Sequence, residues 1–308
     1  MSRQTSAVPE PLGIRQAGVG GRTWRGVAGF VRRKPLGAAG ALIVILLVAV
    51  AAGADSIATH SPKVLVGPAY ELPAFTQAWN NWGTDSIGRD VFSRIVYGAR
   101  LSLYVGLTAT IWGTTIGIVW GLLQGYWGGS LFDTLSQRLL EAQLAIPGLI
   151  LALTFMTVFG PTLVNIVIAI GLNYIPSAAR TIRAATLSIR SNVYVDAARA
   201  LGASNGRIIF FHVFPNTFSI YLVLLSLHVG GAILAEASLS FLGVGLPADE
   251  PSWGGMVTQG TKQALLQNIP WLALLPGLSI ALVVYGFNLF GDALRDTLDP
   301  RLRGARAR

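Results

Sequence analysis

Long apolar stretches without a charged residue alternate with shorter polar segments along this chain. A helix needs roughly 20 apolar residues to cross a hydrocarbon core about 30 Å thick, and several stretches reach that length. They predict six transmembrane helices, at residues 36–56, 101–125, 140–159, 162–179, 215–237 and 270–291. The predicted fold class is therefore an all-α integral membrane protein that lies in the lipid bilayer.

The composition agrees with this pattern, and the charge distribution adds an orientation. Hydrophobic residues make up 52% of the 308, and only 12% are charged, about half the share typical of soluble domains. With a cytoplasmic N-terminus, 18 of the 23 Lys and Arg residues fall on the cytoplasmic side, in accord with the positive-inside rule. Six helices then place both termini in the cytoplasm. Topology explains the net charge of +9, so no nucleic-acid partner is expected.

Several kinds of chemistry are excluded. The chain has no cysteine, which leaves no thiol for a disulfide, a zinc cluster or catalysis. It has three histidines and neither a metal-ligand spacing nor a nucleophile constellation. The nearest approach to a phosphate-binding loop is Gly255 to Gly260 followed by Thr261 and Lys262, and its order is wrong. We therefore predict no metal site, no cofactor bound by this chain and no enzyme activity.

The predicted helices divide the chain into five segments. These are an N-terminal cytoplasmic tail with an interfacial helix (1–35), the first transmembrane helix (36–56), an extracytoplasmic segment with an amphipathic helix (57–100), a core of five transmembrane helices (101–291) that includes a cytoplasmic loop (180–214), and a C-terminal cytoplasmic tail (292–308).

Two extracytoplasmic segments carry local signals. Before the second transmembrane helix, apolar residues share one helical face at Phe92, Ile95, Val96 and Ala99, which predicts a short surface helix. Asp90 and Arg94 have the four-residue spacing that favours an ion pair on a helix. Between the fifth and sixth helices, Trp253 is expected to anchor at the membrane interface.

The second transmembrane helix has glycine at every fourth position, at Gly113, Gly117, Gly121 and Gly125. This spacing removes side chains from one face and lets another helix approach closely. We predict a close helix contact here, within this chain or with a second subunit. A loosely packed glycine-rich helix is the alternative.

The cytoplasmic loop predicts two short helices joined by a sharp turn across the inner face of the membrane. Ser191 or Asn192 can cap the first helix, and Gly202 can end it in the left-handed conformation. Ser204 or Asn205 can cap the second, which runs toward Pro215. Alanines at 197, 198 and 200 keep the first helix slim enough to enter a groove on a partner. From these residues alone, an ordinary cytoplasmic helical loop is the favoured interpretation.

The stretch "DAARALGAS…HVFPN" resembles the EAA loop of ABC-importer permeases. Asp196-Ala197-Ala198, Gly202 and Pro215 keep the spacing of that loop. Asp196 replaces its glutamate, and His212-Val213-Phe214 departs from the residues before its proline. Three further stretches, "WGTDSIGRDVFSRIVYGARLSL", "ILAEASLSFLGVGLPADEPSWGGM" and "GDALRDTLDPRLRG", are similar to those of the oligopeptide, dipeptide and nickel permease family, in its C-type subunit.

This resemblance implies a function and a set of partners. The EAA loop is the helix that couples the permease to a cytoplasmic ATPase, here through Asp196, Ala197, Ala198, Leu201 and Gly202. The implied complex lies in the inner membrane of a prokaryote and contains a second homologous permease subunit, two ABC ATPase subunits that bind ATP and Mg, and an extracytoplasmic substrate-binding protein. The implied cargo is a di- or oligopeptide, with nickel, glutathione or another small solute as alternatives.

Polar residues inside the predicted helices are candidates for the transport pathway, because such groups are costly in a membrane. They are Asn173, Tyr174, His228, Glu236 and Asn288. Two other interpretations of Glu236 stay open. Ser238, Ser240 or water can satisfy it as a structural residue, or it can relay protons with His228, as in a proton-coupled secondary transporter.

Overall fold

The computed structural model describes residues 31, 34–73, 82–267 and 269–298. The interfacial helix predicted for the N-terminal tail lies outside the described residues. The α-helices with defined bounds are, in chain order, α1 (Pro35–Ala52), α2 (Ala54–Ile57), α3 (Val91–Tyr126), α4 (Leu131–Leu144), α5 (Gly148–Phe159), α6 (Leu163–Arg190), α7 (Val193–Ala200), α8 (Asn205–Ile208), α9 (Phe214–Phe241), α10 (Trp253–Gln267) and α11 (Trp271–Leu298).

Five continuous helical stretches in the described part of the chain are long and apolar enough to cross a membrane: α1, α3, α6, α11 and the run from α8 to α9. The pair α4 and α5 passes the same test together, with a bend of 83° between them. Counting that pair as one span gives six. The predicted all-α membrane fold is confirmed, and three of its helices differ in shape from the prediction.

The third transmembrane helix, predicted as a single helix at 140–159, is broken. α4 ends at Leu144 and α5 begins at Gly148, because Pro147 disfavours helical geometry in the residue before it. Two amides tie this region to α6: Gln143 Nε2 of α4 donates to Leu172 O of α6 at 2.8 Å, and Asn173 Nδ2 of α6 donates to Gly148 O at the start of α5 at 3.1 Å.

The predicted surface helix around residues 92–99 is not separate from the second transmembrane helix, since α3 runs without interruption from Val91 to Tyr126. Asp90 begins it by accepting a hydrogen bond from Ser93 N at 3.1 Å. The apolar face predicted on this segment is buried against α1, α2 and α11. Asp90 therefore caps the helix, and the predicted ion pair with Arg94 is absent from the described contacts.

The second helix of the cytoplasmic loop does not end before the fifth transmembrane helix. α8 continues through a π-helical turn, Ile209–Val213, directly into α9. Pro215 lies at the start of α9 and has no N–H to give to the preceding turn. The turn instead uses the wider bond from Phe214 N to Ile209 O. The predicted start at residue 215 was therefore ten residues too late.

α3 and α6 form the most extensive helix pair in the described structure, and the repeated glycines lie in their contact. A Cβ atom built on Gly113 would lie 2.2 Å from Gly171 O, one on Gly117 would lie 2.6 Å from Ile175 O, and one on Gly121 would lie 2.4 Å from Ala179 O. At Gly125 the obstacle is Thr186 Cβ, at 2.5 Å. The close contact thus lies within this chain, and the two backbones touch where side chains are absent.

The first and last described helices also pack together. A Cβ on Gly40 of α1 would lie 2.7 Å from Gly286 O of α11, and one on Gly286 would lie 2.5 Å from Ile43 Cγ2. Lys34 and Asp296 form an ion pair at the ends of the same two helices. α1 is therefore held by the opposite end of the sequence.

Candidate functional site

The turn after α7 has the geometry of a Schellman motif. Ala203 N donates to Ala198 O at 3.1 Å, and Gly202 N donates to Arg199 O at 3.0 Å. Gly202 has a φ of +81°, a conformation that glycine adopts without steric cost. The local sequence therefore fixes where α7 ends, and Gly202 is the residue that permits the turn.

The cytoplasmic loop is attached to the body of the protein on one side and bare on the other. Val195 and Ile208 are fully buried in a cluster with Ile118 and Ile182, which ties the loop to α3 and α6. On the other side Val193 is 84% exposed and Leu201 is 89% exposed. Phe210 and Phe211, in the π-helical turn, are exposed as well. An exposed apolar patch of this kind is typical of a protein-binding surface.

The remaining loop residues singled out in the sequence lie on or beside this surface. Asp196 is exposed and pairs with Arg199 at 3.1 Å. Ala197 is exposed as well, and Ala198 is half-buried. The structure thus brings Asp196, Ala197, Leu201 and Gly202 to one accessible region at the end of the helix bundle.

Charged side chains fix the helix ends around this loop, and the sequence patterns did not reveal them. Arg183 on α6 binds Asp133 on α4 through two hydrogen bonds of 2.7 Å. Arg190 at the end of α6 donates to Tyr126 O at 2.7 Å, which satisfies a carbonyl at the end of α3. Tyr126 Oη donates to Asn205 Oδ1 at 2.7 Å. These partners are 50 to 79 residues apart, so local spacing carries no signal for them.

Midway along α6 and α9, an open groove runs between α5, α6 and α9. Its lining includes Gly148, Leu149, Ala152, Asn173, Tyr174, Gly231, Leu234 and Ser238. The rings of Tyr174 and His228 stack with 4.3 Å between centroids and 17° between planes. His228 lies behind Tyr174, where its Nδ1 shares a hydrogen bond of 2.9 Å with Thr114 Oγ1 of α3. The structure therefore unites three of the five polar candidates: Asn173, Tyr174 and His228.

Glu236 and Asn288 lie elsewhere. Glu236 is fully buried on α9 and accepts a hydrogen bond of 2.9 Å from Ser240 Oγ. Ser240 lies beside Ser252, which caps the start of α10. Asn288 is exposed on α11 and approaches Gly230 on a different face of α9 from the one that meets Tyr174. In the described contacts, the partners of Glu236 and His228 are different residues, so the two do not form a direct relay.

At the end of α3 opposite the cytoplasmic loop, which the charge distribution predicts to be extracytoplasmic and which is here called the outer side, Arg94 gathers three segments of the chain. Its buried guanidinium donates to Pro62 O at 3.1 Å and Ala248 O at 3.3 Å, and to the carbonyls of Asp249 and Glu250 at 3.4 Å. Arg94 Nε also lies 3.6 Å from Asp85 Oδ2, which pairs with Arg89 at 2.7 Å. The motif that contains these residues therefore shapes the outer surface.

Exposed charged residues also link the segment around Pro62 to the segment around Asp249. Lys63 Nζ lies 2.6 Å from Glu250 Oε1 and 3.4 Å from Asp249 Oδ2. The hydrogen bond from Lys63 lowers the pKa of the Asp249 carboxyl, and the bond to Glu250 raises the pKa of Lys63. Both shifts favour the charged forms, so the contact is an ion pair near neutral pH.

Trp253 does not anchor at the membrane interface, contrary to the prediction from its position. It is 2% exposed and packs on Gly98, and its Nε1 donates to Ile95 O at 2.9 Å. Gly98 provides the space, because a Cβ there would lie 2.6 Å from the indole ring. The indole attaches the start of α10 to α3. The phosphate-loop-like residues that follow lie in the helix α10.

The sequence of this chain matches one protein family and is similar to individual proteins over most of its length. Residues 113–304 match the family described as binding-protein-dependent transport system inner membrane component. The dipeptide transport system permease protein DppC of Alkalihalophilus pseudofirmus is 39% identical over 280 residues, 91% of this chain and 90% of the relative. A putative peptide transport system permease protein of Brucella suis is 43% identical over 222 residues, covering 72% and 74%.

A third relative carries a different substrate name. The glutathione transport system permease protein GsiD of Pectobacterium atrosepticum is 37% identical over 275 residues, or 89% of each chain. Such permeases do not hydrolyse ATP, which is the task of partner subunits. With the helices, the inner loop and the outer motif described above, these matches identify the family. The chain belongs to the inner-membrane components of binding-protein-dependent transport systems, as a permease subunit of an ABC transporter of the oligopeptide, dipeptide and nickel type.

Proposed function

We propose that this chain forms one half of the membrane pathway of an ATP-driven importer of di- or oligopeptides. The other half is a second, homologous permease subunit. Two ABC ATPase subunits bind ATP and Mg on the cytoplasmic side, and an extracytoplasmic substrate-binding protein delivers the cargo. The relatives named for dipeptides and peptides support this substrate class, and glutathione is itself a small peptide.

The bare apolar surface of the cytoplasmic loop is the observation that carries the coupling role. A side chain such as Leu201, 89% exposed at the tip of a turn, is stabilised when a partner removes it from water. Two short helices joined by a tight turn suit a cleft on another protein. We assign that cleft to the ATPase, with Asp196, Ala197, Ala198, Leu201 and Gly202 in or beside the contact.

The connections of the loop suggest how it transmits force. α7 directly follows α6, and α8 leads through the π-helical turn into α9. α6 carries Tyr174, and α9 carries Gly231 on the opposite wall of the groove. Displacement of α7 by an ATPase therefore acts on both walls of the groove at once. Nucleotide and substrate then favour different groove widths, which constitutes a coupling free energy between the two sites.

Gly202→Val tests this proposal. A β-branched residue is strained at a φ of +81°, so the turn must change and the bare surface must move. We expect the purified variant to recover at least fivefold less ATPase subunit than the native chain does, and to lose peptide-stimulated ATP turnover and peptide uptake.

The matched control is Gly160→Val. Gly160 also has a positive φ, +87°, and no atom lies within 4 Å of the position that a Cβ would occupy. Unlike Gly202, it lies outside the loop, directly after the C-terminal residue of α5. This variant is expected to keep its ATPase partner. Full ATPase recovery and normal uptake with Gly202→Val would contradict the assigned coupling role.

A further inference from the structure

Tyr174 is held in one orientation by residues on two other helices. The imidazole of His228 on α9 covers one face of the phenol ring, with 4.3 Å between centroids. Thr114 on α3 is fully buried and shares a hydrogen bond of 2.9 Å with His228 Nδ1. Thr114 therefore orients the imidazole of His228, and the imidazole orients the phenol ring of Tyr174. Such support is unusual for a side chain that only fills space, because apolar packing needs no hydrogen bond behind it.

The hydroxyl group of Tyr174 points to a place where α9 has no side chain. Its oxygen lies 3.0 Å from the position that a Cβ on Gly231 would occupy. No described residue accepts or donates a hydrogen bond at this hydroxyl. The group is thus oriented, half-buried and without a partner among the described residues, at the middle of two membrane helices.

The other side-chain donors of the groove have acceptors already. Asn173 Nδ2 donates to Gly148 O and Ala169 O, each at 3.1 Å. Ser238 Oγ donates to Leu234 O at 2.8 Å. The Tyr174 hydroxyl therefore remains as the side-chain donor available to a molecule in this groove, as far as the described residues show.

We propose that Tyr174 contacts the substrate in the pathway by a hydrogen bond to a backbone peptide group, and that His228 is a positioning residue for it. A phenol can both donate and accept, so it can bond to the C=O or the N–H that every peptide carries. The surrounding wall is apolar and imposes little on the side chains of the cargo. This inference rests on the proposed function, since it takes the groove to be part of the peptide pathway.

The test uses the complete transporter in proteoliposomes, with its partner subunits and binding protein. Uptake of a dipeptide is compared with uptake of its ester-linked analogue, which lacks the N–H and has a weaker acceptor carbonyl. For each variant, the rate with the dipeptide is divided by the rate with the ester. This ratio is then divided by the same ratio for the native complex, which cancels the preference of the binding protein. We expect Tyr174→Phe to raise the KM for the dipeptide about fivefold to tenfold and to lower this normalised peptide-to-ester ratio well below one, the value that an unchanged preference would give.

Variants of His228 test its positioning role separately. His228→Ala should reproduce the loss of peptide preference, and His228→Phe, which keeps a flat ring in the stack, should restore most of it. In a Tyr174→Phe background, His228→Ala should reduce the preference no further. A purely structural role for His228 predicts a loss of uptake for both substrates alike, and that result would overturn the assignment.

Other outcomes are equally decisive. Unchanged preference and KM in Tyr174→Phe would refute the inference and leave the proposed function intact, provided the native complex imports peptides. A native complex that imports no peptide would refute the proposed function itself. Reduced recovery of the second permease with Tyr174→Phe, at unchanged preference, would mean that the ring packs against that subunit, and would also overturn the inference.

Discussion

Arg94 joins three segments of the outer surface through one side chain. Its guanidinium reaches four backbone carbonyls and the carboxylate of Asp85, and only 1% of the residue is exposed. Buried carbonyl groups without a donor are costly, so the loops around Pro62 and Ala248 depend on this residue for their arrangement.

Arg94→Lys should therefore destabilise the protein although it keeps the charge. One ammonium group replaces a planar fork of donors and cannot reach all the carbonyls. Disrupting a buried charged network costs about 3–5 kcal/mol, which corresponds to a melting temperature roughly 5–10 °C lower in detergent. Lys63→Ala is the control, because it breaks an exposed ion pair and should shift the melting temperature by less than about 2 °C. Equal shifts in the two variants would contradict the role given to Arg94.

For single residues, the sequence indicated which side chains make important contacts better than it indicated what they contact. The four-residue spacing of Asp90 and Arg94 suggested an ion pair, but such rules describe contacts within one helix. The carbonyl partners of Arg94 around residue 249 are more than 150 positions away. Trp253 was misplaced for the same reason, because its pocket on Gly98 is formed by a distant helix.

Among the helices, the contact of α3 with α6 sets the closest approach of two backbones. It depends on the absence of side chains at successive turns of α3, opposite Gly171 and Ala179. Sequence spacing was sufficient to predict a close contact and left its partner open between this chain and a second subunit. The partner is α6 because α6 has small residues opposite the glycines of α3. The spacing within α3 cannot reveal this.

Gly121→Ala should weaken this contact. The added methyl group would lie 2.4 Å from Ala179 O and 3.0 Å from two further backbone atoms, so the helices must separate. Overpacking of this kind costs about 1–3 kcal/mol, or roughly 2–6 °C in melting temperature. Gly277→Ala on α11 is the matched control: no atom lies within 4 Å of the new methyl group. It should melt at the native temperature or slightly above, and similar losses for both variants would contradict this account.

Helix positions were predicted from apolar length, and the errors occur at prolines. Pro147 breaks the third membrane helix, and Pro215 produces a π-helical turn where a helix start was expected. A proline indicates that regular bonding changes, but the sequence does not say what form the change takes. At the first site the chain bends, and the amides of Gln143 and Asn173 tie both segments to α6. At the second, a wider turn keeps the helix continuous.

For the whole molecule, the cytoplasmic loop and the outer segments form two distinct ends. One end carries the bare apolar surface around Leu201, and the other carries the loops gathered by Arg94. The distribution of Lys and Arg predicts that the first end is cytoplasmic. This orientation, with both termini inside, is part of the proposed function.

The natural absence of cysteine allows a direct test of that orientation. Ser61→Cys, at an exposed position beside the Arg94 network, should react with a membrane-impermeant maleimide in intact cells. Ser191→Cys, at an exposed position at the end of α6, should react only after the membrane is opened. Labelling with the opposite pattern would reverse the assigned topology, and the unchanged native chain reports any background reaction.

The pairing of α1 with α11 has a consequence for biosynthesis. The glycine contact between Gly40 and Gly286 joins residues made almost 250 positions apart, so α1 leaves the ribosome long before its partner exists. At roughly 5–20 residues per second, it waits for tens of seconds in the membrane. Its mean hydropathy of 2.5 is the highest among the five continuous spans of the described residues, which lets it remain in lipid alone. The late insertion of α11 therefore completes this contact by docking α1.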